Sequence, residues 1–254
     1  AMLAAMLDSV SAQWYPDWEL CVCDDASTRA DTRALIDRRV QEEADAAQRE
    51  SRARRFRFVR RERNGHIVTA SNEALGLAHG DWVVLLDHDD LLAPHALLRL
   101  AQTIAEQPDA QLIYTDEDKL DEQGLRCLPF FKPDWSPALL VTQNYIGHLV
   151  GVRRAVVRAV GGFRDETEGS QDYDLLLRIA QHLGNPPAGG RLDGRAAILH
   201  LPEVLYHWRM HAGSTSSSSG CSAAPATRRW SAWSGCPTRT TRATCWCSSA
   251  TPRC

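Results

Sequence analysis

Short apolar runs alternate with amphipathic segments through the first half of the chain. Trp18–Cys23 and Asp81–Leu86 contain continuous apolar stretches of the kind found in strands that are covered on both faces. Segments with helical character, Thr32–Arg54 and His66–His79, lie between these two runs. Because strands alternate with helices, the pattern predicts an α/β fold with a mostly parallel central sheet and helices on both faces.

Acidic residues stand at the points where the predicted strands end. Asp24 and Asp25 come directly after the first apolar run, and Asp87–Asp90 comes after the second. Asp116–Asp118 follows a third predicted strand, Leu112–Thr115. The ligand crevice of such a sheet lies at the carboxyl ends of its strands, so these acids are predicted to gather along one edge.

The second half is less regular, and the chain changes character near its end. Residues 1–215 are predicted to form one domain, whereas 216–254 is rich in Ser, Thr, Arg, Cys and Trp without an apolar period and is predicted to be disordered. Within the domain, the predicted elements are a loop at Pro129–Pro137, strands at Tyr145–Val152, Ala196–Leu199 and Glu203–Trp208, and helices at Arg153–Val160 and Gln171–His182.

Composition and charge exclude several classes of partner. The formal net charge of −3 gives no basic field for nucleic acid, and no apolar run approaches the ~20 residues that a membrane span needs. A cytoplasmic protein is therefore expected, with peripheral attachment to the cytoplasmic face of the inner membrane left open. No pair of C-x-x-C elements is present, which argues against a structural zinc site. Cys21 and Cys23 alternate within a predicted strand and Cys127 stands alone, so these three are predicted to be reduced, small apolar side chains.

The cluster Asp87-His88-Asp89-Asp90 is the strongest candidate for a metal site. Its three carboxylates repel one another and raise each other's pKa, which a chain tolerates where a cation compensates. Oxygen ligands suit Mg²⁺ or Mn²⁺, and these ions keep open positions for substrate phosphates. The alternative is a solvated turn in which an aspartate caps the helix that Pro94 begins.

Two other acidic motifs each allow a functional and a purely structural interpretation. Asp24 and Asp25 could accept hydrogen bonds from a base or a ribose, or cap the helix that follows. Asp172, in the sequence Gln171–Asp174, could act as a general base on an acceptor hydroxyl, or be one of the acids that commonly open helices.

Basic and aromatic side chains are concentrated at His207–His211. Arginine and histidine at these positions could hold a diphosphate or complete a metal shell. The alternative for either histidine is a surface or half-buried polar residue.

Taken in order, these motifs resemble family 2 glycosyltransferases of the GT-A fold. The strings Tyr114–Lys119 and Ser170–Asp174 are similar to those of the bacterial subgroup that makes O-antigen and lipopolysaccharide. The other segments that fit are Trp18–Ser27, Asn64–Asn72, Gly80–Leu91, Phe131–Pro137, Gly161–Phe163 and Tyr206–Ser214.

The resemblance implies a fold and an activity. It implies the GT-A arrangement with its first strand absent, because the family has a strand before the helix at which this chain starts. The implied reaction moves a sugar, with inversion, from a UDP- or dTDP-sugar to a saccharide or lipid-linked acceptor, with Mn²⁺ or Mg²⁺, in cell-surface polysaccharide synthesis. Two alternatives stay open: an inactive or weakly active fragment of such an enzyme, and a metal-dependent nucleotidyltransferase or phosphohydrolase.

The resemblance also implies a role for individual residues. Asp172 is the expected catalytic base. The expected contacts to the donor nucleotide are Asp24, Asp25, His66, Asp87 and Arg209; the expected metal ligands are Asp87, Asp89 and His211; and the expected acceptor and closing segment contains Asp174, His207 and Trp208.

Overall fold

A computed structural model describes residues 2–184 and 197–210, together with the backbone of 243–249. The helices are α1 (Met2–Ser11), α2 (Ala30–Arg49), α3 (His66–Gly76), α4 (Ala96–Glu106), α5 (Pro137–Thr142), α6 (Arg154–Ala159) and α7 (Gln171–Gly184). The strands are β1 (Trp18–Asp24), β2 (Phe56–Arg60), β3 (Trp82–Leu85), β4 (Leu91–Leu92), β5 (Leu112–Leu120), β6 (Arg126–Phe130), β7 (Val150–Arg153), β8 (Ile198–Arg209) and β9 (Ala243–Ser249).

These strands form one mixed sheet. Its order in the described residues is β2-β1-β9-β3-β7-β5-β8-β4, and β6 pairs with β5 outside this path. Strands β2, β1, β9 and β3 are parallel to one another, and β5 is parallel to β8. β7 runs antiparallel between β3 and β5, and β4 and β6 are also antiparallel to their partners. The mostly parallel sheet predicted from the sequence is therefore present.

Helices cover both faces of the sheet, as the continuous apolar strands predict. In β3, Trp82 and Val84 join the core cluster shared with α1, α2 and α4. The alternate residues Val83 and Leu85 join a second cluster with α3, α5, α6 and α7. Successive side chains of a strand point to opposite faces, so a strand between two helical layers must be apolar at every position. None of the described helices has the length and apolar character needed to cross a membrane.

Strand β9 lies between β1 and β3 in the parallel part of the sheet. It pairs in parallel with β1 on one side and with β3 on the other. Residues 243–249 belong to the segment that was predicted to be disordered, so the prediction is wrong for these residues. The backbone groups of β1 and β3 that face each other need partners when buried, and an extended segment between them supplies those partners. The rest of 216–254 lies outside the described residues, and the disorder predicted there stays a prediction.

The later strands differ from the sequence prediction in extent. β8 is one strand, although two short ones were predicted; its register against β5 shifts from Thr115 opposite Leu201 to Asp116 opposite Val204, which accommodates the intervening residues as a bulge. Strand β5 continues to Leu120, so Asp116–Asp118 lies inside a strand and not after its end. The polar residues Asp116–Asp118 suggested that the strand ends before them. Backbone pairing with β6 and β8 nevertheless continues the strand through these residues.

The cysteines divide into two groups. Cys21 and Cys23 are reduced thiols buried in β1, as predicted. Burial raises the pKa of Cys21 to about 12 and that of Cys23 to about 11, so both remain protonated thiols near neutral pH. The prediction for Cys127 was wrong, because this residue is disulfide-bonded.

A buried carboxylate fastens the turn between α3 and β3 to strand β1. Glu19 is fully buried, and its Oε1 accepts hydrogen bonds of 2.6 Å from the backbone N–H groups of both His79 and Gly80. Its Oε2 accepts from Arg57 Nε at 2.5 Å. One side chain thus ties together two neighbouring strands and the loop that leads into β3.

We predict that Glu19→Ala lowers the free energy of unfolding by about 3 kcal/mol, because it leaves an arginine and two backbone N–H groups, that of Gly80 buried, without their acceptor. Arg57→Ala should cost less, since the arginine side chain is 31% exposed and Glu19 keeps both backbone donors. Urea denaturation of the two variants beside wild type measures both losses. Equal losses would contradict the assignment of Glu19 as the centre of this contact.

Candidate active site

Two of the three acidic groups lie at one edge of the sheet, as predicted. Asp24 ends β1, and Asp87 comes two residues after the end of β3. Only β9 separates these parallel strands, so the two strand ends are about 10 Å apart at the usual inter-strand spacing. This carboxyl-terminal edge is where α/β sheets of this type bind their ligands.

Asp87, Asp89 and Asp90 bring one carboxylate oxygen each to within 4.8 Å of one another. Asp87 and Asp89 are half-buried and Asp90 is buried. Burial, together with the charge of Asp87, raises the pKa of Asp90 to about 8. Three hard oxygen ligands and an excess of negative charge fit an ion such as Mg²⁺ or Mn²⁺, because a bound cation would relieve that repulsion.

Strand β8 holds in place the acidic turn, which is formed by Asp87–Asp90. Asp90 Oδ2 accepts a hydrogen bond of 2.7 Å from the hydroxyl of Tyr206, and its Oδ1 accepts one of 2.9 Å from the backbone N–H of Arg209. The backbone N–H of Asp87 donates to the same tyrosine oxygen at 3.2 Å. Tyr206 is fully buried, so the turn is anchored to the core of the sheet.

The side chain of Arg209 turns toward the protein backbone. Its Nε donates to the carbonyl of Asp89, and its Nη2 donates to the carbonyl of Met2 at 2.8 Å. Burial lowers the pKa of Arg209 from its ordinary value. The arginine therefore lies beside the acidic turn with two of its donors occupied by carbonyl groups, and its expected contact with the donor nucleotide stays a prediction.

His148 joins the acidic turn from the other side, and the sequence analysis did not identify it. Its Nε2 lies 3.5 Å from Asp87 Oδ2, and its ring stacks on that of Tyr206 with a centroid distance of 4.8 Å. Burial alone would lower the pKa of His148, but the carboxylates of Asp87 and Asp172 raise it above its ordinary value. The only signal in the sequence was a titratable residue within an otherwise apolar predicted strand.

Asp172 lies in the first turn of α7 and is half-buried. Burial and the charge of Asp87 raise the pKa of Asp172 to about 6, while His148 acts in the opposite direction. Because Asp87 and His148 both affect the pKa of Asp172, the Asp172 carboxylate lies near the acidic turn. Helix α7 places it there. These groups are far apart in the sequence and meet only through the fold.

The two acids that follow β1 have different environments. Asp24 is fully buried, and although burial would raise its pKa, hydrogen bonds from Ser27 and Arg60 lower it. Asp25 is also fully buried; its Oδ1 accepts from the Gly65 N–H at 2.8 Å. Asp25 Oδ2 has no hydrogen-bond partner within the described part of the chain. Both oxygens of Asp24 therefore have donors within the protein, whereas Asp25 keeps one oxygen available as an acceptor.

His66 is brought to this neighbourhood by the same turn. It follows Gly65 at the start of α3, and its ring Nδ1 lies 3.2 Å from Glu168 Oε1. About half of its side chain is exposed. The contact joins the turn beside Asp25 to the segment that leads into α7.

The residues predicted for the acceptor side and for closure are already engaged. Both oxygens of Asp174 are bound by arginines, Arg164 and Arg178, which lower its pKa although burial acts in the other direction. Both oxygens of Asp174 are thus paired within the protein, and its expected contact with an acceptor stays a prediction.

The closing segment is partly a strand. His207 lies inside β8, and its Nδ1 is 2.5 Å from Asp118 Oδ1. Trp208 packs against the core and under the ammonium group of Lys119. Neither side chain belongs to a lid that is separate from the sheet, because the pairing of β8 with β5 and β4 fixes both. His211 lies outside the described residues.

Known proteins are similar to this chain in sequence and in fold. The model of the family described as "Glycosyl transferase family 2" matches residues 1–161. Relatives include the protein y4gI of Sinorhizobium fredii, 44% identical over 86% of this chain, and the O-antigen biosynthesis protein RfbC of Myxococcus xanthus, 40% identical over 82% of it. The chain spans only 22% and 15% of the lengths of these relatives.

Solved structures confirm the GT-A fold. TarS of S. aureus aligns over 82% of this chain and 56% of its own, with a TM-score of 0.60 at 19% identity, and it has also been solved with UDP. The mannosyltransferase PcManGT of Pyrobaculum calidifontis, in complex with GDP-Man and Mn²⁺, aligns over 84% of this chain and 54% of its own, with a TM-score of 0.56 at 20% identity.

The raised pKa of Asp90 predicts that Mn²⁺ binding depends on pH. Below about pH 8 the Asp90 carboxyl carries a proton that a cation must displace, so affinity should rise with pH toward 8, and binding at pH 7 should release about one proton. Calorimetry in two buffers of different ionisation enthalpy counts that proton. In Asp90→Asn the count should fall toward zero. Release of no proton by the wild type at pH 7 would contradict the prediction.

Proposed function

Because this chain belongs to glycosyl transferase family 2, we propose that it moves a sugar from a nucleotide-diphosphate sugar to a hydroxyl of a saccharide or lipid-linked acceptor. The donor is proposed to be a UDP- or dTDP-sugar, and the product to be a cell-surface polysaccharide of the O-antigen type. The name of the relative RfbC supports the product, and the solved complexes of TarS with UDP and of PcManGT with GDP-Man support a nucleotide donor. The cytoplasm, at the inner face of the membrane, is the proposed location.

One observation carries this proposal: a half-buried aspartate with a raised pKa lies in the electrostatic field of a three-carboxylate cluster. Asp172 and Asp87 influence each other across the sheet edge, although they belong to different elements. A sugar transferase needs both features, a base for the acceptor and an anionic cluster that can hold a metal for the diphosphate. No other motif in the described residues offers that combination.

The donor nucleotide is proposed to bind beside Asp25. The unpaired Oδ2 of this buried carboxylate is an acceptor for a ring N–H of the base. The Gly65 N–H and Arg61 hold the other oxygen, Oδ1, which fixes the direction of the carboxylate. Asp24, whose oxygens are both taken, supports the turn and does not contact the nucleotide directly. His66 stands next to Gly65, where it can contact the donor.

The metal is proposed to bind Asp87, Asp89 and Asp90, with His211 as a further expected ligand. A bound Mn²⁺ or Mg²⁺ supplies charge stabilisation to the leaving diphosphate. Two sets of contacts within the protein hold the carboxylates of this metal site. Tyr206 and the Arg209 N–H fix the buried Asp90, and His148 stands against Asp87.

Asp172 is proposed to be the general base. Its carboxylate takes the proton of the acceptor hydroxyl as the acceptor oxygen forms a bond to the anomeric carbon of the sugar. The bond between that carbon and the diphosphate oxygen breaks on the opposite face, and the nucleoside diphosphate leaves with the electron pair. A single in-line displacement of this kind inverts the anomeric configuration. A pKa of about 6 leaves Asp172 largely ionised at neutral pH while it retains useful basicity.

We predict that Mn²⁺ and UDP, or Mn²⁺ and dTDP, together raise the Tm of the protein by about 5 °C or more at ligand concentrations near 100 Kd. Asp89→Ala should abolish that joint shift, because it removes a metal-ligand oxygen. Asp109→Ala is the matched control, since this exposed acid lies before β5 at the opposite edge of the sheet. Thermal denaturation followed by fluorescence measures all three proteins. A full joint shift in Asp89→Ala would contradict the site.

We predict that Asp172→Asn lowers kcat by about 10²–10⁴-fold while the affinity for Mn²⁺ and nucleotide stays within a few-fold of wild type. With Mn²⁺ saturating at every pH, kcat/KM of the wild type should rise about tenfold per pH unit below about pH 6 and level off above it, because only the ionised carboxylate accepts a proton. The variant should lose this dependence. Transfer assays from pH 5 to 8 measure it, and an unchanged pH profile in Asp172→Asn would assign the base elsewhere.

A further inference from the structure

A buried lysine lies beneath the active site, in the segment that precedes α5. The side chain of Lys132 is fully buried, and its ammonium group is within bonding distance of three oxygens. It donates to Glu117 Oε2 at 3.0 Å, to the Ile146 carbonyl at 2.5 Å and to the His148 carbonyl. An ammonium group has three N–H donors, so every donor has an acceptor. Two of those acceptors belong to the backbone that carries His148.

Glu117 holds the same backbone from the other side of the ion pair. Its Oε2, which accepts from Lys132, also accepts a hydrogen bond of 2.8 Å from the backbone N–H of His148. The N–H and the C=O of His148 are therefore both bound to one buried ion pair. The backbone of His148 is therefore held in position independently of the contacts that its ring makes.

Gly147 allows the loop to approach Glu117 closely. Its φ is +49°, and a Cβ at this position would lie 2.8 Å from Glu117 Oε2. A side chain would therefore both strain the backbone and collide with the carboxylate that holds His148. The glycine is required by the contact between the loop and the ion pair.

The ring of His148 needs such support. Its Nδ1 is buried without a hydrogen-bond partner in the described residues. Burying a polar atom in this way costs free energy, which favours a ring position closer to water. The ring nevertheless stays stacked on Tyr206 with Nε2 3.5 Å from Asp87 Oδ2. The backbone contacts from Lys132 and Glu117 are what oppose its departure.

We propose that Lys132 and Glu117 are positioning residues that hold His148 against Asp87, so that the histidine orients this carboxylate for the metal and the donor diphosphate. The proposal rests on the proposed function, because it assigns the held carboxylate to the metal site. A residue that orients a ligating carboxylate tunes metal affinity without touching the ion, and losing such a partner costs about 10–100-fold in affinity or activity.

The first test measures Mn²⁺ binding by calorimetry in Glu117→Gln, His148→Phe and the double variant. Each single substitution should weaken binding about tenfold, and the double variant should be no weaker than His148→Phe alone, because Glu117 acts through the histidine. Multiplied losses, about 100-fold in the double variant, would overturn the proposal, as would wild-type affinity in Glu117→Gln.

Glu43→Gln is the matched control. Glu43 has nearly the same side-chain exposure as Glu117, 17% against 16%, and it accepts from an arginine side chain and from a backbone N–H. It lies on α2, away from the acidic turn. Loss of Mn²⁺ affinity in Glu43→Gln equal to that in Glu117→Gln would show a general effect of destabilisation and overturn the positioning role.

A second measurement does not depend on the metal. The ¹⁵N and ¹H resonances of the His148 imidazole, assigned by their loss in His148→Phe, should shift in Glu117→Gln and in Gly147→Ala but not in Glu43→Gln. Unshifted resonances would overturn the proposal even if activity fell. If the wild type binds no Mn²⁺ while the resonances shift as expected, the metal site fails and the positioning of His148 by the ion pair stands.

Discussion

The concentration of negative charge at one edge of a buried sheet is the constraint on which the rest of the site depends. Asp87, Asp89 and Asp90 share a small volume, and burial raises the pKa of Asp90 to about 8. Carboxylates so close together separate unless donors hold them. The fold supplies donors to Asp90 from β8, through Tyr206 and the backbone of Arg209, and the loop before β7 places His148 Nε2 3.5 Å from Asp87 Oδ2.

The acids of this region divide by whether their oxygens are engaged. Asp24 and Asp174 each bind an arginine and further donors, and their pKa values are lowered. Asp25 keeps a buried oxygen without a partner in the described residues, and the pKa of Asp172 is raised to about 6. Engaged carboxylates hold elements together at little electrostatic cost, whereas an unengaged one keeps the capacity to bind a ligand or a proton. This difference separates Asp24 and Asp174 from Asp25 and Asp172. Asp90 belongs to neither group, because donors from β8 reach both of its oxygens while its pKa is raised.

The mixed part of the sheet brings the two halves of the chain together at the site. Strand β8 lies between β5 and β4, so residues after 197 reach the turn that follows β3. β7 inserts antiparallel between β3 and β5 and places the preceding loop, with His148, beneath Asp87. The buried pair Lys132–Glu117 stiffens that loop from the side of β5. Support for the acidic turn therefore comes from elements that are distant in the sequence.

The sequence by itself determined the layered α/β fold and the position of Asp25 and Asp87–Asp90 after buried strands, because apolar periodicity is a local pattern that reports burial directly. The family resemblance, and not a local pattern, singled out Asp172. Only the tertiary structure decided which acids keep an open oxygen, since Asp174 and Asp172 stand in the same short motif and differ only in the arginines that reach one of them. Strand pairing also placed Asp116–Asp118 inside β5 and set β9 between β1 and β3. His148 carried no distinguishing local pattern, because its role depends on an ion pair and a stacked ring that meet it only in the folded chain.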